Sequence, residues 1–208
     1  MISFQKLAAV SEKVAATTRK KEKTFLLSGL LQEARGEEIA LAASYLSGEL
    51  PQKRLGVGWA ILQQALQGIA LELRPLSLVE LNQRLDGIAQ TTGAGSIEIK
   101  AGLLRDLFFC LRKNEREFLS GLIIGEIHQG ALEGLVLETV AQASSLPVDH
   151  VRERLMFAGS IGEVAKVALE EGLGGLSRFQ GGGRNRMDPP VRTTVESSVD
   201  QTLKCSID

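Results

Sequence analysis

Apolar residues recur along this chain at spacings of three and four positions, which is the period of an amphipathic helix. In the opening stretch, "ISFQKLAAVSEKVAAT", Phe4, Leu7 and Val14 fall on one face, and Ser3 is placed to cap the first turn. The same pattern predicts helices at 23–34, 37–47, 58–67, 78–90, 97–113, 115–127, 132–144 and 148–158. A last helix is capped by Ser160, and Gly172, Gly174 and Gly175 are expected to end the folded part. No segment alternates long enough to predict a hairpin. We therefore expect an all-α fold of about ten to twelve helices.

Two glycine-rich bends interrupt these helices in the same way. Gly48-Glu49-Leu50-Pro51-Gln52 and the segment 125–129, "GEIHQ", share the pattern Gly-Glu-aliphatic-x-Gln, 77 residues apart. Each follows an apolar helix and leads through further glycines into another helix. A period of this length is too long for common helical solenoids. The repeat therefore predicts two pseudo-symmetric halves.

Such bends offer a chemistry as well as a turn. A helix that begins at a glycine turn presents free N–H groups, and these amides, together with the helix dipole, favour an anion such as phosphate. A third turn, "TTGAGS" at 91–96, has Ser96 as the expected cap and Lys100 one turn further on. The alternative stays open at this point, because glycines also commonly do no more than end a helix.

Composition and charge narrow the class of protein. The apolar share of 44 % is enough for a core, and the 4 % of aromatic residues leaves Leu, Ile, Val and Ala to build it. The net charge of −1 argues against a strongly basic nucleic-acid binder, although a local basic patch remains compatible with it. Residues 181–208 are polar and aperiodic, so we expect one folded domain at 1–180 followed by a linker or disordered tail.

Cysteine usage and hydropathy indicate the compartment. Cys110 and Cys205 lie far apart with no CxxC pair, which fits a reducing cytosol, and we expect Cys110 to be a buried thiol. No stretch is long and apolar enough to span a membrane, and the N-terminus lacks the pattern of a signal peptide. We therefore expect a cytoplasmic protein without a membrane partner.

Three of these motifs together resemble a known family. "YLSGELPQKRLGVGW", "TTGAGSIEIKAGLL" and "FLSGLIIGEIHQGALEGLVLETVA" resemble the N-terminal DNA-binding domain of ATP-dependent DNA ligases of the bacterial type, in the family's order, over about residues 1–180. "TTRKKEK" at 17–23 resembles its early Thr/Ser-Arg-x-x-Lys segment. The resemblance implies an all-helical domain that contacts the minor groove on both sides of a nick. It also implies a role in DNA replication, repair and recombination, and a nucleoid-associated location.

The resemblance can be carried over residue by residue. Three groups of residues match the family's three DNA-contacting turns: Arg54, Gly56 and Gly58; Gly93, Gly95, Ser96 and Lys100; and Gly125, Gly130 and Gly134. His128 stands where the family usually has arginine. It is shorter than arginine and mostly neutral at pH 7, which weakens a phosphate contact there. We interpret Arg54 and Lys100 as the principal DNA-binding side chains, with His128 equally compatible with a solvated turn.

The chemistry of ligation, in contrast, is missing from the sequence. A ligase takes AMP on the lysine of a Lys-x-Asp-Gly motif, whereas the nearest match here, at 84–87, begins with Arg84, whose guanidinium stays protonated. No zinc or Walker-type motif occurs. ATP and Mg²⁺ are therefore expected to belong to a catalytic domain that is not in this chain, which leaves nicked duplex DNA and that domain as the expected partners.

Three readings of the function remain. We predict a DNA-binding module that is inactive as an enzyme by itself. The alternatives are a helical protein–protein interaction module and an enzyme with an unrecognised site. The cation run at Arg19, Lys20, Lys21 and Lys23 fits either a DNA contact or a solvated helix start.

Overall fold

The computed structural model describes residues 1–67, 74–125 and 132–179. Within these residues the chain forms ten α-helices and a short 3₁₀ turn at Ser177–Phe179. The helices are α1 (Phe4–Ala16), α2 (Lys20–Glu33), α3 (Glu37–Ser47), α4 (Trp59–Leu66), α5 (Leu78–Gln90), α6 (Ser96–Phe109), α7 (Lys113–Ile124), α8 (Leu132–Ser144), α9 (Val148–Ala158) and α10 (Ile161–Leu176). The all-α prediction is confirmed. Nothing in the described part forms a helix that is long and apolar enough to cross a membrane.

The two predicted halves meet at the starts of α1 and α5. Ser3 and Ser77 form an isolated antiparallel bridge, and their hydroxyls each accept the N–H of the residue three positions on, so both serve as N-caps. The hydrogen bonds on either side are reciprocal: Phe4 N–H donates to the Leu76 carbonyl at 2.8 Å, and Leu78 N–H donates to the Ile2 carbonyl at 3.2 Å. This exchange is what a local twofold relation between the two segments produces.

The packing of the helices follows the same symmetry. Helices α5, α6 and α7 begin 74 to 76 residues after α1, α2 and α3. Helix α1 packs on α7 while α5 packs on α3, and α2 packs on α8 while α6 packs on α4. Each half therefore buries its apolar faces against helices of the other half. The core is built mainly from leucines, with Phe4, Tyr45 and Phe108 as its largest buried side chains.

Helices α9 and α10 lie outside this repeat. Helix α10 packs most extensively on α3, and the approach is closest at Gly162. A Cβ at this position would lie 2.6 Å from the Ala40 carbonyl oxygen and 2.4 Å from Ser44 Oγ. Only a residue without a side chain allows the two helices to come this close.

Three local predictions need correction or fall outside the description. We expected Gly172, Gly174 and Gly175 to end the folded part, but the helix kinks at Gly172 and resumes as far as Leu176. Cys110 is only partly buried, because it lies at the end of α6, where one side of the residue faces solvent. The predicted tail at 181–208, with Cys205, lies outside the described residues.

Candidate nucleic-acid interface

The first glycine bend connects α3 to α4 and exposes two cations. Helix α3 ends at Gly48 in the left-handed conformation, and the chain turns through residues 49–58 before α4 begins. Lys53 and Arg54 are exposed, whereas Leu55 is 4 % exposed and anchors the bend in the core. Among the described residues, neither cation forms an ion pair with a carboxylate. The bend thus presents both positive charges to solvent.

A cleft of about 730 Å³ lies against this bend, and we call it the bend cleft. It brings together one predicted site residue from the second half, Gly125, and three from the first, Arg54, Gly56 and Gly58. Its walls are residues 48–50, 53–58 and 122–125, together with Gly159. The first glycine bend and the end of α7 at Gly125, 77 residues after Gly48, therefore border one surface.

Gly125 shapes the wall of this cleft, but its N–H is not free to bind a ligand. Its φ is 75°, and its N–H is already used to close the last turn of α7 by donating to the carbonyls of Gly121 and Leu122. His128 and Gly130, which belong to the same predicted turn, lie outside the described residues, whereas Gly134 is an exposed residue in the first turn of α8. The predicted DNA contacts of this turn therefore stay predictions.

Lys100 is the buried member of the predicted set. It is 8 % exposed, and its Nζ donates to the Leu55 carbonyl at 2.6 Å. Gly56, with a φ of 65°, lies so close that a Cβ there would be 2.7 Å from Nζ. The ammonium therefore ties the first turns of α6 to the bend before α4. An ammonium carries three N–H donors, so this bond does not use all of them.

The start of α6 differs in one detail from the prediction. Gly95, with a φ of 75°, is the N-cap, whereas Ser96, the predicted cap, is the first helical residue, and its own N–H donates to the Gly93 carbonyl at 3.2 Å. The reason is that Gly95 takes the left-handed conformation that turns the chain into the helix. No side chain caps the first turn here or at Gly58 of α4. Both helix starts thus leave amides without a side-chain acceptor.

A polar network that sequence reasoning missed holds the bend from its other side. Gln52 Nε2 donates to Asn82 Oδ1 at 2.8 Å and to Asp86 Oδ1 at 2.7 Å, and Asn82 Nδ2 donates to Asp86 Oδ2 at 3.1 Å. The Tyr45 hydroxyl donates to Asn82 Oδ1 at 3.1 Å. Burial, and next the charge of Asp86, raise the pKa of Tyr45 well above its usual range. The sequence feature that could have indicated this network is the glutamine that ends the Gly-Glu-aliphatic-x-Gln pattern.

Apolar side chains are exposed at the same helix starts. Trp59, the first residue of α4, is 58 % exposed, and Ile97 and Ile99 in the first turn of α6 are 58 % and 54 % exposed. Helices α4 and α6 pack against each other. The starts of these two packed helices therefore carry an exposed apolar part, which the charge-based prediction did not include.

One acid also borders the bend cleft. Partial desolvation, and next the charge of Glu133, raise the pKa of the Glu49 carboxyl above its ordinary value. Glu133 lies in the first turn of α8, so the start of this helix lies close to the first bend and the two carboxylates repel each other. An acid at this position opposes the positive charge of Lys53 and Arg54.

The described residues contain no group of three His, Cys, Asp or Glu side chains that is placed to hold a metal ion. The ligase-like tetrapeptide at 84–87 lies inside α5. Its Arg84 pairs with Glu80, and its Asp86 belongs to the polar network described above. The tetrapeptide therefore has a structural role here.

Comparison with known proteins identifies the relatives of this architecture. Residues 67–141 match the family described as DNA ligase N terminus. The resemblance to the N-terminal domain of ATP-dependent DNA ligases is thereby confirmed. A probable DNA ligase of Anaeromyxobacter sp. (strain Fw109-5) is 40 % identical over 206 residues, which are 97 % of this chain and 39 % of that protein.

Other relatives carry the same description. A probable DNA ligase of Streptomyces griseus is 38 % identical over 209 residues, with 97 % of this chain and 40 % of the relative covered. One of Mycolicibacterium gilvum is 36 % identical over 194 residues, with 93 % of this chain and 38 % of the relative covered. The chain thus spans about two fifths of the length of these relatives.

Proposed function

We propose that this chain binds duplex DNA around a nick, without sequence preference, as the DNA-binding part of an ATP-dependent ligase. The observation that supports this most directly is the bend cleft, where the first glycine bend and the end of α7 at Gly125 border one surface with Lys53 and Arg54 exposed. Cations and helix-start amides on one surface suit a phosphate backbone, because such contacts depend on charge and shape and carry no base information.

The exposed apolar residues fit the same proposal. Proteins that bind the minor groove often combine cations for the backbone with apolar side chains that contact sugars or base edges. Trp59 and Ile97, at the starts of α4 and α6, would supply such contacts beside Arg54. The site residues Gly56, Gly58, Gly93 and Gly95 would let the backbone approach the duplex.

The adenylation step is proposed to lie elsewhere. The nucleophilic lysine, ATP and Mg²⁺ would belong to a catalytic domain outside this chain, which would act with it in replication, repair or recombination in the cytoplasm. With labelled ATP we expect no covalent adenylate on this chain. A labelled band would overturn this part of the proposal.

A salt titration tests the DNA-binding proposal. The affinity for a labelled nicked duplex would be measured by fluorescence anisotropy at several salt concentrations, for the unaltered chain and for Arg54→Gln combined with Lys53→Gln. Because each phosphate contact contributes about 0.9 to the slope of log K against log salt, the double variant should lose roughly 2 from that slope. Two duplexes of different sequence should bind equally.

The control is Lys113→Gln, which removes an exposed cation that pairs with Glu117 of its own helix. Lys113 begins α7, at the opposite end of that helix from Gly125 and the bend cleft. We expect it to leave both affinity and slope nearly unchanged. Failure of the unaltered chain to bind the duplex would reject the proposed function, and an unchanged slope in the double variant would reject the assignment to the bend.

The exposed apolar residues also support a second candidate, a protein–protein interaction module. In that case Trp59→Ala and Ile97→Ser would abolish binding to a ligase catalytic domain supplied separately, while nicked-duplex affinity would be absent in the unaltered chain. The two measurements separate the candidates.

A further inference from the structure

The side chain of Gln52 bridges the first bend to a different helix. Its Nε2 lies 2.7 Å from Asp86 Oδ1 and 2.8 Å from Asn82 Oδ1, both on α5. Asn82 in turn accepts the Tyr45 hydroxyl from the end of α3. The end of α3 and the first bend are therefore both joined to α5, which lies 30 or more residues further along the chain.

This amide is placed directly behind the exposed cations. Gln52 is the residue before Lys53, and its carbonyl accepts the N–H of Arg54 at 2.6 Å. Lys53 has a φ of 58°, a conformation that residues with side chains rarely adopt and that surrounding contacts must hold. The hydrogen bonds of Gln52 to α5 supply contacts of that kind.

We propose that Gln52, held by Asp86 and Asn82, is a positioning residue that fixes the Lys53–Arg54 turn in its DNA-binding conformation. This inference rests on the proposed function and names the group that organises it. It also assigns Asp86, the acid of the ligase-like tetrapeptide, to the binding of DNA at a distance instead of to nucleotide chemistry. In this proposal Gln52 itself does not contact DNA.

The polarity of this contact makes it sensitive to an isosteric change. Gln52→Glu keeps the shape but replaces the donor with an acidic oxygen 2.7 Å from an Asp86 oxygen, where like charges repel. We expect the turn to leave α5 and the two cations to lose their fixed place. Nicked-duplex affinity should fall roughly tenfold, and the salt slope should fall by about 1, as for a lost phosphate contact.

The control for added negative charge is Gln83→Glu. Gln83 is exposed on the same helix, next to Asn82, so this variant has the same net charge. We expect a change of affinity of about twofold or less and an unchanged slope, because a surface charge acts through a screened potential alone. Circular dichroism at the assay temperature would verify that all variants are folded.

A double-variant cycle separates positioning from general structural damage. If Gln52 acts through the turn, then Gln52→Glu added to Arg54→Gln should weaken binding much less than it does alone. Full additivity, or weaker binding with an unchanged slope, would overturn the inference.

The failure of the inference is distinguishable from the failure of the proposed function. Absence of binding by the unaltered chain counts against the proposed function. Normal binding that Arg54→Gln weakens but Gln52→Glu leaves unchanged counts against the positioning role alone.

Discussion

The two halves of this molecule share a framework but use their second helices differently. Helices α2 and α6 follow equivalent N-caps, Arg19 and Gly95, and the residue five positions after each cap is buried: Thr24 in one half and Lys100 in the other. Thr24 bonds within its own helix, to the Lys20 carbonyl, whereas Lys100 reaches across to the Leu55 carbonyl. The side chain at this position therefore bonds within its own helix in one half and connects two elements in the other.

The starts of α2 and α6 also differ in their exposed cations. The start of α2 carries Arg19, Lys20, Lys21 and Lys23, and Lys20 pairs with Glu138 of α8. The start of α6 has exposed isoleucines and only the buried Lys100 as a cation in its first turns. This difference shows that a repeat preserves backbone geometry more strongly than chemistry, because packing constrains the core positions whereas the exposed positions vary freely.

The largest expected effect concerns the helix that breaks the symmetry. Helix α10 packs on α3, and Gly162→Ala would place a methyl group against the Ala40 carbonyl. We expect a loss of about 3 kcal/mol in the free energy of unfolding, since the backbone must move to relieve this contact. Chemical denaturation measures it, with Gly87→Ala on α5 as the control: no atom lies within 4 Å of a Cβ there.

That control should change stability in the other direction. Alanine is the better helix former, so Gly87→Ala should stabilise the protein by about 0.5–1 kcal/mol. A Gly162 variant as stable as the unaltered chain would mean that α3 and α10 are not in close contact.

A smaller effect compares the bend of the first half with the helix start of the second. Gly56 and Gly95 both have positive φ, but only Gly56 would also meet the Lys100 ammonium. Gly95→Ala should cost about 1 kcal/mol for the left-handed conformation alone, and Gly56→Ala about 2 kcal/mol or more because the lysine must also move. Equal costs in denaturation curves would indicate that the Lys100 contact contributes little to holding the bend.

The smallest effect concerns Glu49, the acid in the wall of the bend cleft. Because the folded state raises the pKa of Glu49, the folded protein binds more protons than the unfolded chain just above the ordinary pKa. Stability therefore falls as the pH rises through that range and stays lower at neutral pH. Glu49→Gln should abolish the contribution of this group to the pH dependence and raise the melting temperature at neutral pH slightly. Thermal unfolding measured between about pH 4 and pH 8 would test both expectations.

The opposite result would also be informative. A Glu49→Gln variant that keeps the full pH dependence would place the responsible acid elsewhere. The same variant should bind nicked duplex slightly more tightly, because one negative charge has left the wall of the bend cleft.

Much of the local structure was predictable from the sequence. The helix caps at Ser3 and Ser160 and the bounds of α5 and α9 are where apolar spacing and capping chemistry placed them, because these features depend on neighbours within a turn or two. The Gly-Glu-aliphatic-x-Gln repeat predicted two halves for the same reason: similar segments adopt similar local conformations. The left-handed cap at Gly95 was missed, since Ser96 beside it is also a good cap.

The tertiary structure alone decided which side chains are accessible and which are used to hold others. Lys100 was predicted to be a DNA-contacting cation, yet its ammonium is buried against Leu55, and Gln52 and Asp86, 34 residues apart, meet in one hydrogen bond. Burial and long-range pairing depend on how all ten described helices pack around a common core. Periodicity and caps specify each helix, but no window of the sequence encodes which atoms of another helix will lie 3 Å away.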